Sequence, residues 1–226
     1  MAVEVAEKAE VLVNINEAIQ TGKKKKVVPL VQQAIDEGFS AQEILDELLD
    51  GFGVIGEKFK NDEVFVPEVL VAARAMNAGT ELLKPLLDAE GHESLGKACL
   101  GTVEGDMHDI GKNIVRMMVE GKGIEVEDLG IDTPAEKFVN YVKENPDCHL
   151  VLASALLTTT MPKLGEVVQA FEDAGLRDDV MIMVGGAPVT QEYADEIGAD
   201  AYTADGGSCA IKAAELITEW NENHPE

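Results

Sequence analysis

The sequence predicts an α plus α/β protein. An N-terminal helical bundle spans residues 1–89, and a doubly wound, flavodoxin-like five-stranded parallel sheet spans residues 90–226. Three observations predict this division. Up to about residue 89 the apolar residues recur at helical spacing. Beyond it, short apolar runs alternate with helical patterns, as expected of β-α units in a parallel sheet. A polar stretch, Ala89-Glu90-Gly91-His92-Glu93-Ser94, separates the two regimes.

Four amphipathic faces make up the first region. Val11, Leu12, Ile15 and Ile19 form one; Val27, Val28, Val31 and Ile35 a second; Ile44, Leu45, Leu48, Leu49 and Phe52 a third; Val69, Leu70, Ala73, Met76, Leu83 and Leu87 a fourth. Their breaks carry helix punctuation: Thr21-Gly22, Gly38 before the N-cap candidate Ser40, and Lys60-Asn61-Asp62 ahead of Pro67. The run Lys23 to Lys26 reads as a solvated helix start in an acidic chain. In the second region strands are expected at 97–103, 125–129, 149–155, 180–184 and 201–203. Helices are expected at 110–121, 134–144, 161–174, 190–197 and 207–222. The run Leu150-Val151-Leu152-Ala153 is apolar on both faces, as a central parallel strand must be.

Composition narrows the function. The 226 residues carry a formal charge of −25 and 46% hydrophobic residues, enough for a core without disulfides. Residues 1–90 hold 9 basic and 17 acidic groups, so the acid excess lies mostly in the second region. Such a field repels phosphate backbones and anionic lipid surfaces, which argues against nucleic acid or membrane as partner. Cys99, Cys148 and Cys209 are odd in number and widely spaced, and fit neither a disulfide framework nor a thiolate zinc site. With an acidic start and no run of 18 apolar residues, the chain reads as soluble and cytoplasmic.

In an open α/β sheet, ligands settle beyond the carboxyl ends of the strands where strand order reverses, which for the order 2-1-3-4-5 lies between strands 1 and 3. The loops to inspect are therefore 104–111 and 154–161, with 185–188 and 204–208 completing the rim. The first loop sets His108 between Asp106 and Asp109 and is relieved by Gly101, Gly105 and Gly111. A histidine with a carboxylate two positions away suits a metal ligand oriented by a supporting acid. Since no neighbouring cluster completes a coordination sphere, the other ligands of such a metal would arrive with a cofactor. The loop alone leaves other readings open: a surface histidine, a phosphate-binding glycine loop, or a receiver-type domain. The glycines match neither GxGxxG nor the P-loop, and no cluster of acids at strand ends joins a suitably placed lysine.

Asp106-Met107-His108-Asp109-Ile110-Gly111 resembles the DxHxxG signature of cobalamin-binding domains. It is followed after 42 residues by Ser154-Ala155-Leu156, similar to SxL, and after 28 more by Gly185-Gly186. In the helical region, 48–59, 64–70 and 72–76 resemble the cap bundle of methionine synthase and of corrinoid proteins in methanol, methylamine and methoxyarene methyltransferase systems. The resemblance covers about residues 3–222.

The resemblance implies a carrier of cobalamin or a related corrinoid, cycling between methylcobalamin and cob(I)alamin. His108 would be the lower axial ligand of cobalt, with Asp106 accepting from its other ring nitrogen and Thr160 standing where methionine synthase-like domains have serine. Ser154 and Thr158 match hydroxyls lining the slot for the displaced nucleotide tail. Gly185 and Gly186 match glycines that let the tail pass, and Gly105, Met107, Asp109, Ile110, Gly111 and Leu156 belong to the same binding motifs. The bundle would cap the reactive face of the corrin, with 89–95 as hinge and Phe65 and Met76 as cap contacts. The implied function is a methyl shuttle that turns nothing over alone. Its implied partners are a substrate:corrinoid methyltransferase, a methylcorrinoid:acceptor methyltransferase using tetrahydrofolate or a thiol, and a reductive activase. An adenosylcobalamin-dependent mutase subunit and a cobalamin-based light sensor are the alternatives. The first usually lacks this cap, and the second needs a basic DNA-binding head that this chain does not show.

Overall fold

The computed structural model describes residues 2–90 and 94–224, and the chain divides into two compact units, Met1–Glu93 and Ser94–Glu226. Residues 91–93 of the hinge expected at 89–95 lie outside the described residues.

The first unit is built from α1 (Ala2–Gln20), α2 (Lys24–Asp36), α3 (Ala41–Lys60) and α4 (Val66–Glu90). The apolar faces read from the sequence turn inward: Val11, Ile15, Ile19, Val27, Val31, Ile44, Leu48, Phe52, Val69, Ala73, Met76 and Leu83 are all buried. Ser40 caps α3 with a reciprocal capping box, its hydroxyl accepting from the Glu43 N–H (3.2 Å) and its own N–H donating to the Glu43 carboxylate (2.9 Å). Helix α3 runs eight residues past the expected apolar face, to Lys60, and continues through its glycines. A Cβ on Gly51 would lie 2.8 Å from the Asn16 carbonyl oxygen of α1, so glycine is what lets the two helices approach. Met76 is bundle core, whereas Phe65 is exposed just ahead of α4.

The second unit alternates β1 (Gly96–Val103), α5 (Ile110–Glu120), β2 (Ile124–Thr133), α6 (Ala135–Glu144), β3 (Cys148–Ser154), α7 (Pro162–Asp173), β4 (Met181–Gly185), α8 (Gln191–Glu196), β5 (Ala201–Tyr202) and α9 (Gly206–Asn223). A short 3₁₀ turn, Arg177–Asp179, precedes β4. All pairings are parallel, in the order β2-β1-β3-β4-β5, so the reversal of strand order falls between β1 and β3 as the sequence predicts. Strand β1 is buried from Ala98 onward, and Phe138, Phe171, Leu164 and Ile182 fill one face of the core. Gly101 belongs to this core rather than to the loop. A Cβ there would stand 2.6 Å from the Phe138 ring, and burying that ring is worth about 3 kcal/mol.

Strand β2 extends four residues further than its apolar pattern suggests. Pairing with β1 slips, so that Gly101 faces Gly130 and Val103 faces Thr133, and the slip is taken up by left-handed backbone at Gly130 (φ +95°) and Asp132 (φ +50°). This bulge carries the edge strand over the β1–α5 loop. At the start of α5, the buried Lys112 ammonium pairs with Asp128 of β2, which also receives Arg116 at 3.3 Å. Burial opposes ionisation of Asp128, but the bonds from Lys112 and the Gly130 N–H outweigh it and hold the carboxyl below its usual range. No helix among the described residues is long and apolar enough to cross a membrane.

Candidate functional site

The loops at the switch point meet on one buried carboxylate. Asp106, reached immediately after β1, is fully buried, yet all its acceptor capacity is used. Its Oδ1 accepts from the His108 N–H (3.1 Å) and lies 2.6 Å from His108 Nδ1. Its Oδ2 accepts from the N–H groups of Leu156 (2.7 Å) and Leu157 (3.3 Å) and from the Thr160 hydroxyl (2.7 Å). Burial would raise the pKa of this group; the donors from Thr160, Leu156 and His108 override it and hold Asp106 well below the carboxylate range. Asp106 is therefore an ionised acceptor. Facing an acceptor-only group, Nδ1 of a neutral His108 must carry the ring proton, which leaves the Nε2 lone pair free.

The His108 carbonyl is held separately. The Thr102 hydroxyl, buried at the end of β1, donates to the His108 carbonyl at 2.8 Å and lies 3.1 Å from Ser154 Oγ. Because Thr102 has a single proton, Ser154 is the donor between them. Asp106 also fastens the loop to the edge strand: its carbonyl accepts from the Asp132 N–H (2.9 Å), and the Gly105 N–H donates to the Asp132 carboxylate (2.7 Å). On the other flank Lys163 of α7 bridges Glu104 and Glu166, each at 2.9 Å, tying the two switch-point loops together.

The structure thus brings Gly105, Asp106, His108, Ser154, Leu156 and Thr160 into one network, and Thr160 reaches Asp106 through the hydroxyl it shares with serine. Asp109 stands at the N-cap of α5 without bonding the helix through its side chain, and Thr158 is exposed on the β3–α7 loop. Sequence reasoning missed Thr102, Leu157 and Asp132. Leu157 contributes only a backbone N–H, which any residue supplies; Thr102 reads as one more strand position; Asp132 is 27 residues away from the group it binds.

The glycines divide into two kinds. At Gly186 (φ +127°) a Cβ would fall 1.8 Å from the Ala155 carbonyl oxygen, so the chain's own backbone demands glycine there. At Gly185 a Cβ would meet only the Thr203 carbonyl at 3.6 Å, and at Gly111 nothing within 4 Å. Those two leave room that the fold itself does not require.

The surface above the network is apolar. In the second unit the exposed large hydrophobic side chains among the described residues are Met107 (66%), Ile110 (68%), Leu156 (40%) and Leu157 (41%), all on these two loops around a His108 side chain that is 48% exposed. A polar relay beneath a half-exposed imidazole, rimmed by apolar side chains, fits a bulky, largely apolar ligand with one metal position to fill. No group of three or more His, Cys, Asp or Glu among the described residues could hold a metal ion by itself. The residues present fit a corrinoid: one nitrogen donor with its orientation fixed, and open space at Gly185 and Gly111.

Comparison with known proteins points the same way. Residues 96–213 match a B12 binding domain model, and residues 11–84 match a second model, also described as a B12 binding domain. The chain is 41% identical over 212 residues to dimethylamine corrinoid protein 1 of Methanosarcina acetivorans, covering 93% of this chain and 99% of that one. It is 40% identical over 215 residues to the trimethylamine corrinoid protein of Methanosarcina barkeri, with coverage of 93% and 99%. Among solved structures it superposes on a cobalamin-binding protein from Desulfitobacterium hafniense (TM-score 0.76, 32% identity, 92% of this chain and 98% of that one). It also superposes on a chain of the methanol:cobalamin methyltransferase complex MtaBC from Methanosarcina barkeri (TM-score 0.80, 30% identity, 96% and 86%). With both units matched and relatives covered nearly end to end, the chain belongs to the B12-binding family, and within it to the corrinoid proteins of methyltransferase systems.

Proposed function

We propose that this protein is a corrinoid-carrying methyl shuttle, loaded by a substrate:corrinoid methyltransferase and unloaded by a methylcorrinoid:acceptor methyltransferase in the cytoplasm. The observation that carries the reading is a half-exposed His108 with its Nδ1 committed to the buried Asp106, on loops that expose Met107, Ile110, Leu156 and Leu157. When bound, the corrinoid supplies the cobalt that takes up and gives up the methyl group. The chain's residues do the rest. His108 offers Nε2 as lower ligand; Asp106 fixes the tautomer and ring plane; Thr160, Leu156 and Leu157 hold the other carboxylate oxygen so that Asp106 cannot turn away. Nε2 is where a proton and a metal compete, and that competition couples ligation to the state of the relay. Ser154 supports Thr102 in holding the backbone of His108, and Gly185 and Gly111 leave space for the cofactor's bulk.

The similarity to dimethylamine and trimethylamine corrinoid proteins supports a methylamine as methyl donor. It also favours the shuttle over the mutase subunit and the light sensor. A reductive activase is the third expected partner, since a carrier that must be Co(I) to accept a methyl group needs rescue when it oxidises. The test is reconstitution with cobalamin followed by reduction and incubation with candidate methyltransferases and mono-, di- and trimethylamine. Methyl transfer to the corrinoid, read by absorption, is the expected result. In His108→Ala the His-on spectrum should be lost while weak corrinoid binding remains; an unchanged spectrum removes His108 from the ligand role.

A further inference from the structure

We propose that Asp132, at the end of the edge strand β2, is a positioning residue that latches the His108 loop in the form that presents Nε2; the inference rests on His108 being the lower ligand. Asp132 grips the segment before the ligand at two points. Its carboxylate accepts from the Gly105 N–H at 2.7 Å, and its own N–H donates to the Asp106 carbonyl at 2.9 Å. The other backbone anchors of this loop, the Asp106 N–H on the Val103 carbonyl (3.1 Å) and the Thr102 hydroxyl on the His108 carbonyl (2.8 Å), both come from β1. Asp132 therefore holds the loop from the opposite strand.

The backbone at Asp132 carries the second line of argument. Its φ of +50° is left-handed, and among the described residues only Asp62 shares that feature without being glycine. A position kept solely to shape the bulge would be met without strain by glycine, as it is two residues earlier at Gly130 (φ +95°). An aspartate tolerates this region better than most residues, yet at some cost, and strain of this sort persists where the side chain has work to do. The work visible here is the bond to Gly105, itself left-handed at φ +79°. Release of that N–H frees the Glu104–Gly105 peptide to rotate. Rotation there loosens the backbone that leads into His108 while the Asp106 carboxylate stays held by Leu156, Leu157 and Thr160, so the imidazole loses its fixed place over that carboxylate and with it the direction of Nε2.

Three proteins test this: wild type, Asp132→Gly, which removes the acceptor and relieves the strain, and Asp132→Asn, which keeps both an acceptor oxygen and tolerance of the left-handed backbone. Two readouts apply. One is hydrogen exchange of the Gly105 amide in corrinoid-free protein. The other is the ratio of His-on to His-off spectra in cobalamin-loaded protein, at a pH where both forms are populated. In Asp132→Gly, Gly105 exchange should accelerate and the His-on ratio fall, each by roughly 10–150-fold, the value of one hydrogen bond to a charged group. The melting temperature should fall only modestly, because relief of the left-handed strain offsets part of the lost bond. Asp132→Asn should restore most of both readouts. Equal exchange and equal ratios in Asp132→Gly and wild type overturn the latch, as does a loss that Asp132→Asn does not restore. A wild-type spectrum that His108→Ala leaves unchanged overturns the ligand reading and the latch with it, and so is distinguishable from failure of the latch alone.

Discussion

Replacing Asp106 by asparagine tests the relay at its centre, because the amide is nearly isosteric but supplies only one acceptor. The carboxylate takes two donors on Oδ1, from the His108 N–H and Nδ1, and three on Oδ2, from Leu156, Leu157 and Thr160. The amide oxygen will face the three donors, which turns the NH₂ toward His108. The ring can answer only by accepting at Nδ1, so its proton moves to Nε2 and the ligand lone pair disappears. The His108 N–H is left against another donor. Losing two bonds to a charged group, partly offset by the lower cost of burying a neutral amide, destabilises by about 2–4 kcal/mol. A domain with about 5–15 kcal/mol to lose still folds at room temperature. Urea unfolding followed through Trp220, the single tryptophan and part of α9, reports the sheet unit alone. The pH dependence has a fixed sign. The folded pKa of Asp106 lies below its unfolded value, so its contribution is complete above about pH 5 and is lost as pH falls below about 4. The gap between wild type and Asp106→Asn should therefore be constant near neutrality and close in acid. A variant of wild-type stability that keeps the His-on spectrum, or a gap that widens in acid, would refute the reasoning.

Gly186→Ala should cost about 3 kcal/mol or more even without corrinoid, because its Cβ would lie 1.8 Å from the Ala155 carbonyl in left-handed backbone. Gly185→Ala, with only a 3.6 Å contact to meet, should stay within about 1 kcal/mol of wild type yet weaken cobalamin binding; parallel urea melts and cobalamin titrations separate the two positions. Cys99, Cys148 and Cys209 are free and buried, and burial pushes the Cys209 thiol up to about 11. A thiol reagent at pH 8 should find none of them in the native protein and all three once urea is added; rapid labelling of the native chain would contradict the packing.

The legible parts of the molecule were those where one residue type answers one physical demand. Helical spacing in the first unit, the apolar third strand, the Ser40 cap and the strand order all follow from periodicity and from rules of parallel connection. The position of the site follows from strand order before any motif is recognised. What stayed hidden has a common cause. Leu157 acts through a backbone N–H group, which leaves no trace in side-chain identity. Thr102 sits at the last turn of a buried strand, where threonine reads as a strand former rather than a hydrogen-bond donor. The end of β2 was lost because Gly130 and Asp132 interrupt the alternation of a strand with a bulge, and that bulge is what brings Asp132 to the site. Phe65 and Met76 show the limit from the other side: both are large and apolar, but only the packing separates the buried Met76 from the exposed Phe65.

The arrangement around His108 also bears on why a shuttle needs so much structure behind one ligand. A ligand that is bound and released in every cycle must return to the same place, and a half-exposed side chain on a glycine-rich loop would not do so unaided. Here the ring and the carbonyl are held by different groups: Asp106 with its donors fixes the imidazole and the backbone N–H, while Thr102 backed by Ser154 fixes the His108 carbonyl. The two systems share no hydrogen-bonding side chain. In the proposed shuttle, release of a metal from His108 would break none of these bonds, so both networks would stay in place. The loss of rotamer and backbone freedom, of order 1–2 kcal/mol per residue, is met once on folding rather than on every methyl transfer.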